Sequence, residues 1–392
     1  MSRPRTASVD RAGDADKHDA DDKNLVPSRR QYLDLKAQHP GAILLYRLGD
    51  FYETFDEDAT ILARDARIAL TSRSFGRSGR APMAGIPHHA LNHYLGRLLA
   101  AGHTVAIAEQ MTPPGRGLVE RAVTRVISPG TVADPALLPG ENRYLAALHK
   151  LGDCWGFAWV DVSTGEFAVA EFSGEDAAAR LAEEVVRLNP AETLVPDDAP
   201  DPPPSKGRQT PGHLTRLESW RWAPDRAAEM LCTQFRVRSL SGFGCAGLPA
   251  AIGAAGAVLA YLERTNSALL ALLTGLRVES PGRWVGLDAA TRRNLELTRS
   301  FGTGGTRGSL LGVLDLTRTP MGARALRRLV GQPLRDLEEI MRRREIVGAL
   351  VGAPSARAAF GDALATIGDL ERLLGRIAGR GAGAREFLTL AT

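Results

Sequence analysis

The segment that organises this chain reads Gly49-Asp50-Phe51-Tyr52-Glu53-Thr54-Phe55. It follows an apolar run, Ala42 to Tyr46, which predicts a buried strand. Gly49 and Asp50 interrupt this run, and the apolar residues from Glu57 to Ala69 then recur at helical spacing. We therefore expect two aromatic residues and a carboxylate to lie where a strand turns into a helix, a position from which side chains often point outward.

Phe51 and Phe55 also allow a purely structural interpretation. They are four residues apart, which is the spacing of core positions on one face of a helix. Large aromatic side chains are mostly buried in folded proteins. The residue types alone therefore favour a packing role, and only the surrounding sequence favours another one.

The surrounding sequence contains further motifs in a fixed order. The first covers Tyr46 to Glu53, and the others follow along nearly the whole chain: Ala81 to Ala90, Val105 to Gln110, Arg125 to Thr131, Leu287 to Glu296 and Thr319 to Gly322. With these motifs the chain resembles the MutS family of DNA mismatch repair proteins, and Phe51-Tyr52-Glu53 resembles the family's mismatch-reading motif. A lone Phe-Tyr-Glu would be a weak signal, whereas ordered blocks over most of a chain are specific.

The resemblance implies a fold class and a domain order. We expect a multidomain protein, α/β and then all-α: a small mixed α/β mismatch domain, an α/β connector domain and the start of a helical core domain. The expected bounds are 1–29 for a disordered tail, 30–142 for the mismatch-binding domain, 143–266 for the connector and 267–392 for a truncated core. The tail is polar and charged, as disordered segments are.

Phe51 and Glu53 suit the recognition of mispaired bases on physical grounds. A Phe ring can wedge between stacked bases from the minor groove and kink the duplex, and a mispaired base costs less to unstack than a paired one. A carboxylate near phosphates is repelled unless it accepts a hydrogen bond from a base, and a displaced base offers that donor. We therefore predict that Phe51 reads deformability and that Glu53 makes the contact discriminating.

Three arginines lie in the Gly- and Ser-rich segment from Thr71 to Arg80, which we interpret as a loop. Arg73, Arg77 and Arg80 are compatible with a solvated turn and also with contacts to DNA phosphates. The resemblance favours the second interpretation for Arg73, because members of the family place basic residues beside the mismatch motif. The predicted DNA-binding residues are therefore Phe51, Glu53 and Arg73.

Composition and charge restrict the class of protein less than the motifs do. The 392 residues carry 49 Lys and Arg against 45 Asp and Glu, and a net charge of +4 does not by itself indicate nucleic-acid binding. No apolar run is long enough to span a membrane, and no signal peptide opens the chain. Three cysteines without paired spacing favour reduced thiols, so we expect a cytoplasmic, nucleoid-associated protein.

Several other polar residues have structural interpretations, which we favour. His88 and His89 have no further residue at metal-ligand spacing nearby. Asp161 and Glu166 could hold Mg²⁺ as in a nuclease, but they flank a predicted hairpin turn, Ser163-Thr164-Gly165, where acidic residues are common. Six arginines on two predicted helices fit solvated helix faces: Arg324, Arg327, Arg328, Arg342, Arg343 and Arg344.

The sequence contains no G-x-x-x-x-G-K-[ST] phosphate loop. The resemblance places the family's ATPase domain beyond the core, so we expect neither enzymatic activity nor a cofactor in this chain, and ATP and Mg²⁺ are implied only for the intact family. A homodimer and a MutL-type partner are implied as well. Three hypotheses remain: a module that binds mispaired or unpaired bases, an ATPase or metal nuclease, which the missing motifs disfavour, and a protein-interaction fragment with little DNA discrimination.

Overall fold

The computed structural model describes residues 25–76, 79–112, 118–134, 137, 140–203, 212–378 and 383–391. The chain divides into two compact units, Met1–Ile127 and Ser128–Thr392. Most of the predicted disordered tail, and Arg77, lie outside the described residues. No helix within the described ranges is long and apolar enough to cross a membrane.

The described residues of the first unit form a six-stranded mixed sheet and three α-helices. Its elements are α1 (Pro27–Gln38), β1 (Ala42–Leu48), β2 (Phe51–Phe55), α2 (Asp56–Ala66), β3 (Thr71–Ser74), β4 (Arg80–Pro87), α3 (Leu91–Ala100), β5 (Thr104–Gln110) and β6 (Arg121–Ile127). The strand order is β3-β4-β2-β1-β5-β6. Strand β1 pairs parallel with β5, whereas the other neighbours are antiparallel. The predicted strand at Ala42 to Tyr46 is thus confirmed as the start of β1.

The segment Phe51–Phe55 is a strand, so the predicted strand-to-helix turn at this position is wrong. Strand β2 pairs with β1 through Leu48 and Phe51, and with β4 from Phe51↔Pro87 to Phe55↔Met83. The chain reverses at Gly49 and Asp50, and α2 begins only at Asp56. A spacing of four residues fits one face of a helix and also one face of a strand, and the distant partner strand β4 decides between them.

Two further boundaries differ from the sequence prediction. The predicted loop from Thr71 to Arg80 contains β3, which pairs with β4 down to Ser74↔Arg80. Next to this pair, the Phe75 N–H donates a hydrogen bond to the Gly79 carbonyl at 2.9 Å. Helix α1 begins at Pro27, within the predicted tail, because the fixed φ of proline suits the first turn of a helix.

The two faces of this sheet bury different side chains. On one face, Tyr32 of α1 packs with Tyr46 of β1 and Phe55 of β2. The opposite face buries residues such as Tyr52 and Ile86, because successive side chains of a strand alternate between faces. Helices α2 and α3 contact each other and also contact β4 and β5. A side chain of β2 is therefore exposed only where it extends beyond the helix that covers its face.

The second unit begins with another six-stranded sheet. Its elements are β7 (Leu145–Leu151), β8 (Cys154–Asp161), β9 (Glu166–Phe172), α4 (Ala177–Leu188), β10 (Glu192–Pro196), β11 (His213–Leu217), α5 (Pro224–Phe235), α6 (Pro249–Asn266) and β12 (Arg277–Val278). The strand order is β11-β10-β7-β8-β9-β12. The predicted hairpin at Ser163 to Gly165 is confirmed, since β8 and β9 pair antiparallel on either side of it.

Helix α6 forms the centre of the core in this sheet region. It is buried along most of its length and contacts α5, β7 and β8. Two glycines permit this close approach: a Cβ at Gly156 would lie 2.0 Å from the Ala250 carbonyl oxygen, and one at Gly256 would lie 2.3 Å from the Ala227 Cβ. Any side chain at either position would therefore displace α6.

The rest of the second unit is mainly helical. Its helices are α7 (Ala289–Asn294), α8 (Leu310–Leu314), α9 (Pro320–Gly331), α10 (Leu337–Val351), α11 (Pro354–Ala365), α12 (Leu370–Ala378) and α13 (Ala384–Ala391). The helical core expected for residues 267–392 is interrupted between residues 295 and 309, which form turns and bends. Glycines at 302, 304, 305 and 308 disfavour a helix there.

Arg324 is buried, so the predicted solvated face of α9 is wrong at this residue. Its side chain is 4% exposed, both of its terminal nitrogens donate to the Asp369 carboxylate at 2.7 Å, and Nη2 also donates to the Glu371 carboxylate at 2.6 Å. Buried charges need such partners. By contrast, Arg342 and Arg344 are exposed on α10, as predicted for a solvated face.

Candidate nucleic-acid interface

A tight turn at Gly49 and Asp50 places Phe51 at the first position of β2. Gly49 has a φ of +60°, which residues with a side chain rarely adopt. The Asp50 carbonyl accepts a hydrogen bond from the His88 N–H at 2.8 Å. The turn is therefore fixed both by its glycine and by the segment that follows β4.

Phe51 is the exposed aromatic residue of a strand that buries its two others, Tyr52 and Phe55. Alternation along β2 places Phe51, Glu53 and Phe55 on one face of the sheet. Helix α1 covers this face at Phe55, whose ring meets that of Tyr32 edge-on at 4.9 Å. Phe51 extends beyond the helix and remains 47% exposed. The packing interpretation therefore holds for Phe55 and not for Phe51.

Tyr52 anchors the same strand from the opposite face. It is buried, and its hydroxyl donates a hydrogen bond to the Glu109 carboxylate at 2.5 Å. Burial and this carboxylate raise the pKa of Tyr52 to about 12. Its ring lies 5.8 Å from that of His88 and 5.4 Å from the Arg47 guanidinium. Tyr52 and His88 thus have a structural role: they hold in place the strand that carries Phe51.

Glu53 and Arg73 form an ion pair across strand β4. Glu53 lies opposite Gly85 and Arg73 lies opposite Ala81, so both side chains belong to the face that carries Phe51. Gly85 leaves space between them, since a Cβ there would come within 3.5 Å of the Glu53 Cγ. The Glu53 side chain is 17% exposed and that of Arg73 is 42% exposed. The structure therefore brings the three predicted residues together on one surface, which we call the Phe51 face.

Two cations that help to build the Phe51 face gave no recognisable signal in the sequence. Arg29 lies at 2.5 Å from Asp56, and its guanidinium is 5.7 Å from the Phe55 ring. Arg121 stacks on the Tyr46 ring at 4.8 Å and donates to the Arg47 carbonyl at 2.5 Å. Both arginines hold elements of the first unit in place, and their partners are too distant in sequence to be recognised.

The carboxylates that could have indicated a nuclease have structural partners in the second unit. Asp161 is completely buried and accepts hydrogen bonds from the Asn142 side chain at 2.9 Å and from the Ser163 hydroxyl at 2.6 Å. Glu166 lies 2.9 Å from Arg277 and accepts a hydrogen bond from the Tyr144 hydroxyl at 3.1 Å. These contacts stabilise the β8–β9 hairpin, and they support the structural interpretation of both residues.

Comparisons with known proteins match the chain to three consecutive family models. These are MutS domain I over residues 26–136, MutS domain II over residues 143–274 and MutS domain III over residues 290–392. All residues of the Phe51 face lie within the segment that matches domain I. The order of the three segments is the order in which the family motifs occur in the sequence.

Several curated proteins, each named DNA mismatch repair protein MutS, are similar to this chain. One from Symbiobacterium thermophilum is 46% identical over 376 residues, which cover 94% of this chain and 43% of that protein. A second, from Dehalococcoides mccartyi, is 43% identical over 94% of this chain and 42% of its own length. A third, from Thermosynechococcus vestitus, is 43% identical over 95% of this chain and 44% of its own length.

The chain spans less than half the length of these relatives. Within that span, the similarity is continuous from the segment that contains the Phe51 face to the helical part of the second unit. Because three family models match in order over most of the sequence, this chain belongs to the MutS family of DNA mismatch repair proteins.

Proposed function

We propose that this chain binds duplex DNA and prefers duplexes that contain mispaired or unpaired bases. The observation that carries the proposal is the exposed ring of Phe51, which stands beside the Glu53 carboxylate on an otherwise well-packed sheet face. The exposed ring is accessible to a base step, as a wedge must be, and it stands in the segment that resembles the family's mismatch-reading motif.

The wedge and the carboxylate have different tasks. Stacking of a base on an aromatic ring contributes about 1–3 kcal/mol and tolerates any base, so Phe51 responds to how easily a step opens. Glu53 accepts a hydrogen bond from a displaced base, a donor that a well-stacked pair does not offer. The rigid support from Tyr52 and the Gly49 turn keeps both side chains in place before DNA arrives, which reduces the ordering cost of binding.

The remaining proposals concern organisation and partners. Family membership supports a mismatch-binding domain at 30–142, a connector at 143–266 and a helical core at 267–392, with a role for Arg73 in phosphate contact. It also supports a homodimer, a MutL-type partner and association with the nucleoid. We propose no ATP hydrolysis for this chain, whose sequence has no phosphate loop.

A second candidate function is protein interaction with little DNA discrimination. It is favoured by apolar side chains that α10 and α11 leave in solvent, such as Val347 at 60% and Phe360 at 63% exposure. Exposed apolar side chains commonly mark a protein contact when they are grouped on one surface. The two candidates make opposite predictions for DNA binding, so one titration separates them.

The test measures binding of labelled duplexes that differ in one base: a G·T mismatch, a single-base insertion and a fully paired control, over a series of salt concentrations. We expect tighter binding to the first two. Phe51→Ala should reduce this preference by about 1 kcal/mol or more, because it removes the stacking ring, and it should leave the thermal unfolding temperature nearly unchanged.

Phe301→Ala is the matched control, because Phe301 is an even more exposed phenylalanine in the second unit. It should retain the full preference for mismatched DNA. Equal affinity of the wild-type protein for all three duplexes would favour the interaction hypothesis. A Phe51→Ala protein that unfolds at a much lower temperature and still discriminates would show that Phe51 has a packing role.

A further inference from the structure

The predicted base-contacting residue and the predicted phosphate-contacting residue bind each other in this structure. Glu53 and Arg73 come from the two strands on either side of β4, and their side chains meet above Gly85. While this ion pair is intact, Nη1 of Arg73 and Oε2 of Glu53 are occupied by each other and are not available to DNA. The pair therefore couples the two predicted contacts: breaking it makes both side chains available at once.

The environment of the pair makes it exchangeable. Arg73 is 42% exposed, and ion pairs at that exposure are weak because water and salt screen them. A DNA phosphate offers Arg73 an equivalent or better partner, since arginine binds phosphate oxygens through its planar fork. Glu53 is more enclosed, so its carboxylate needs a new donor when Arg73 leaves.

Only a disturbed base pair supplies that donor. On fully paired DNA, release of Arg73 would leave the Glu53 carboxylate unneutralised beside the phosphates, so the ion pair is retained. On mismatched DNA, the displaced base donates a hydrogen bond to Glu53, and Arg73 can then bind a phosphate. The two new contacts form together or not at all.

We propose that Arg73 is a specificity-determining residue that exchanges Glu53 for a DNA phosphate only when a displaced base takes over the carboxylate. This proposal rests on the proposed function, because it assumes that the Phe51 face binds mismatched duplexes. It assigns Arg73 a role beyond electrostatic attraction: on paired DNA the residue remains with Glu53 and makes no phosphate contact, and on mismatched DNA it leaves Glu53 and makes one.

The exchange has a signature in the salt dependence of binding. Each phosphate neutralised by a cation contributes about −0.9 to the slope of log K against log salt concentration. Arg73→Gln should therefore reduce the magnitude of the slope by about 0.9 on a G·T duplex and leave the slope on a fully paired duplex unchanged. A phosphate contact that is always made would change both slopes equally.

A second arm uses Glu53→Gln, which removes the charge that retains Arg73. In this background Arg73 should contact phosphate on both duplexes. We therefore expect Arg73→Gln, when added to Glu53→Gln, to reduce the magnitude of the slope by about 0.9 on fully paired DNA as well. The comparison of the single and double variants is internally controlled, because the duplex stays the same.

Arg80→Gln is the matched control. Arg80 lies on the neighbouring strand and donates to the Ser72 hydroxyl at 3.2 Å. Arg80→Gln should change the slope by the same amount in the wild-type protein and in the Glu53→Gln variant. Arg73→Lys provides a further variant in which the charge is kept, and it should retain the slope on mismatched DNA. Circular dichroism and thermal unfolding verify that each variant is folded.

Each outcome tests either the exchange of partners by Arg73 or the proposed preference for mismatched DNA. Equal slope changes on both duplexes would overturn the exchange in favour of a constant phosphate contact, and no change on either would reduce the ion pair to a structural contact. Both results leave the proposed function intact if the wild-type protein prefers mismatched DNA and Phe51→Ala abolishes that preference. Equal wild-type affinity for both duplexes overturns the proposed function, and the exchange with it.

Discussion

Two arginine–carboxylate pairs in this molecule have the same chemistry and opposite surroundings. Arg73 pairs with Glu53 at the edge of the first unit, and 42% of its side chain is exposed. Arg324 pairs with Asp369 and Glu371 inside the second unit, and 4% of its side chain is exposed. Arg324 binds Asp369 through two parallel bonds at 2.7 Å, an arrangement that fixes geometry as well as charge.

The difference in burial determines what each pair can do. A half-exposed pair contributes little to stability, about 0–1 kcal/mol, because water competes for both partners, so it can exchange one partner for a ligand. In a buried pair, removal of one partner leaves a charge without its main partner, so the pair is not readily exchanged for a ligand. The exposed pair is suited to recognition, and the buried pair joins α9 to the start of α12.

Burial and the ion pair have opposite effects on the pKa values of Arg324 and Asp369. Burial alone would lower the pKa of Arg324, but its hydrogen bonds to Asp369 and Glu371 raise it well above the ordinary value. Burial alone would raise the pKa of Asp369, and the hydrogen bonds and charge of Arg324 hold it below the ordinary range instead. Arg324 and Asp369 therefore stay charged over a wider range of pH together than either side chain would if it were buried without its partner.

The largest expected effect comes from breaking the buried pair. Arg324→Ala should lower the free energy of unfolding by up to about 3–5 kcal/mol, because Asp369 and Glu371 lose their common partner and Asp369 keeps only Arg372, 3.8 Å away. Urea unfolding followed by circular dichroism measures this change. Arg73→Ala, the corresponding substitution in the exposed pair, should cost only about 0–1 kcal/mol. Similar losses for the two variants would refute the contrast.

A smaller effect is expected from Asp369→Asn, which keeps the size of the side chain and removes its charge. Because the pKa of Asp369 is depressed in the folded state, its charge stabilises the fold above the unfolded pKa of about 3.9. That contribution is lost as the pH falls through the lower folded pKa. Wild type should therefore be more stable than the variant at pH 7, and the advantage should narrow below about pH 4.

This prediction is checked by unfolding both proteins in urea at a series of pH values. Glu53→Gln serves as the control for general acid effects, because it neutralises a carboxylate in the exposed pair instead. A constant difference between wild type and Asp369→Asn over the whole series would mean that Asp369 does not titrate with a depressed pKa.

The sequence predicts those parts of the fold that depend on local pattern. The apolar run at Ala42 and the β8–β9 hairpin are both confirmed, because each carries its own periodicity or turn residues. The motif containing Phe51 and Glu53 could also be located, since the resemblance rests on contiguous residues. What these elements have in common is that neighbouring residues determine them.

Non-local partners explain what the sequence could not predict. The spacing of Phe51 and Phe55 also fits a helix, and only the pairing of β2 with β4, from Met83 to Pro87, shows that they lie on a strand. Arg324 reads as a solvated helix residue because its partner Asp369 is 45 residues away. For the same reason, Glu53 and Arg73 were predicted to contact DNA separately, and only the register of three strands shows that they contact each other.

A moderate effect is expected when the carboxylate of the exposed pair is neutralised. Glu53→Gln removes a negative charge near the phosphates, so affinity for fully paired DNA should rise or hold. Affinity for a mismatch should rise less or fall, because the hydrogen bond to the displaced base weakens, by about 0.5–1.5 kcal/mol. The ratio of the two affinities should therefore shrink at every salt concentration.

Fluorescence anisotropy with G·T and fully paired duplexes measures this ratio. A uniform drop in both affinities would indicate that Glu53 maintains the shape of β2 and does not contact a base. An unchanged ratio would mean that Glu53 never meets the displaced base.

The smallest effect is expected on the solvated face of α10, where the arginine side chain is more exposed than that of Arg73 or Arg324. Arg342 lies 3.5 Å from Glu339, one turn earlier on the helix, and its side chain is 71% exposed. Pairs at this spacing stabilise a helix by about 0.2–0.5 kcal/mol, and alanine is at least as good a helix former as arginine. Arg342→Ala should therefore change the free energy of unfolding by no more than about 0.5 kcal/mol, and added salt should remove even that.

The urea unfolding curves that test Arg324→Ala provide the measurement. If stability follows burial and not the number of ion pairs, the losses must rank Arg324 first, Arg73 second and Arg342 last. A loss at Arg342 close to that at Arg324 would mean that α10 packs against a surface through this arginine, and the face would then not be solvated.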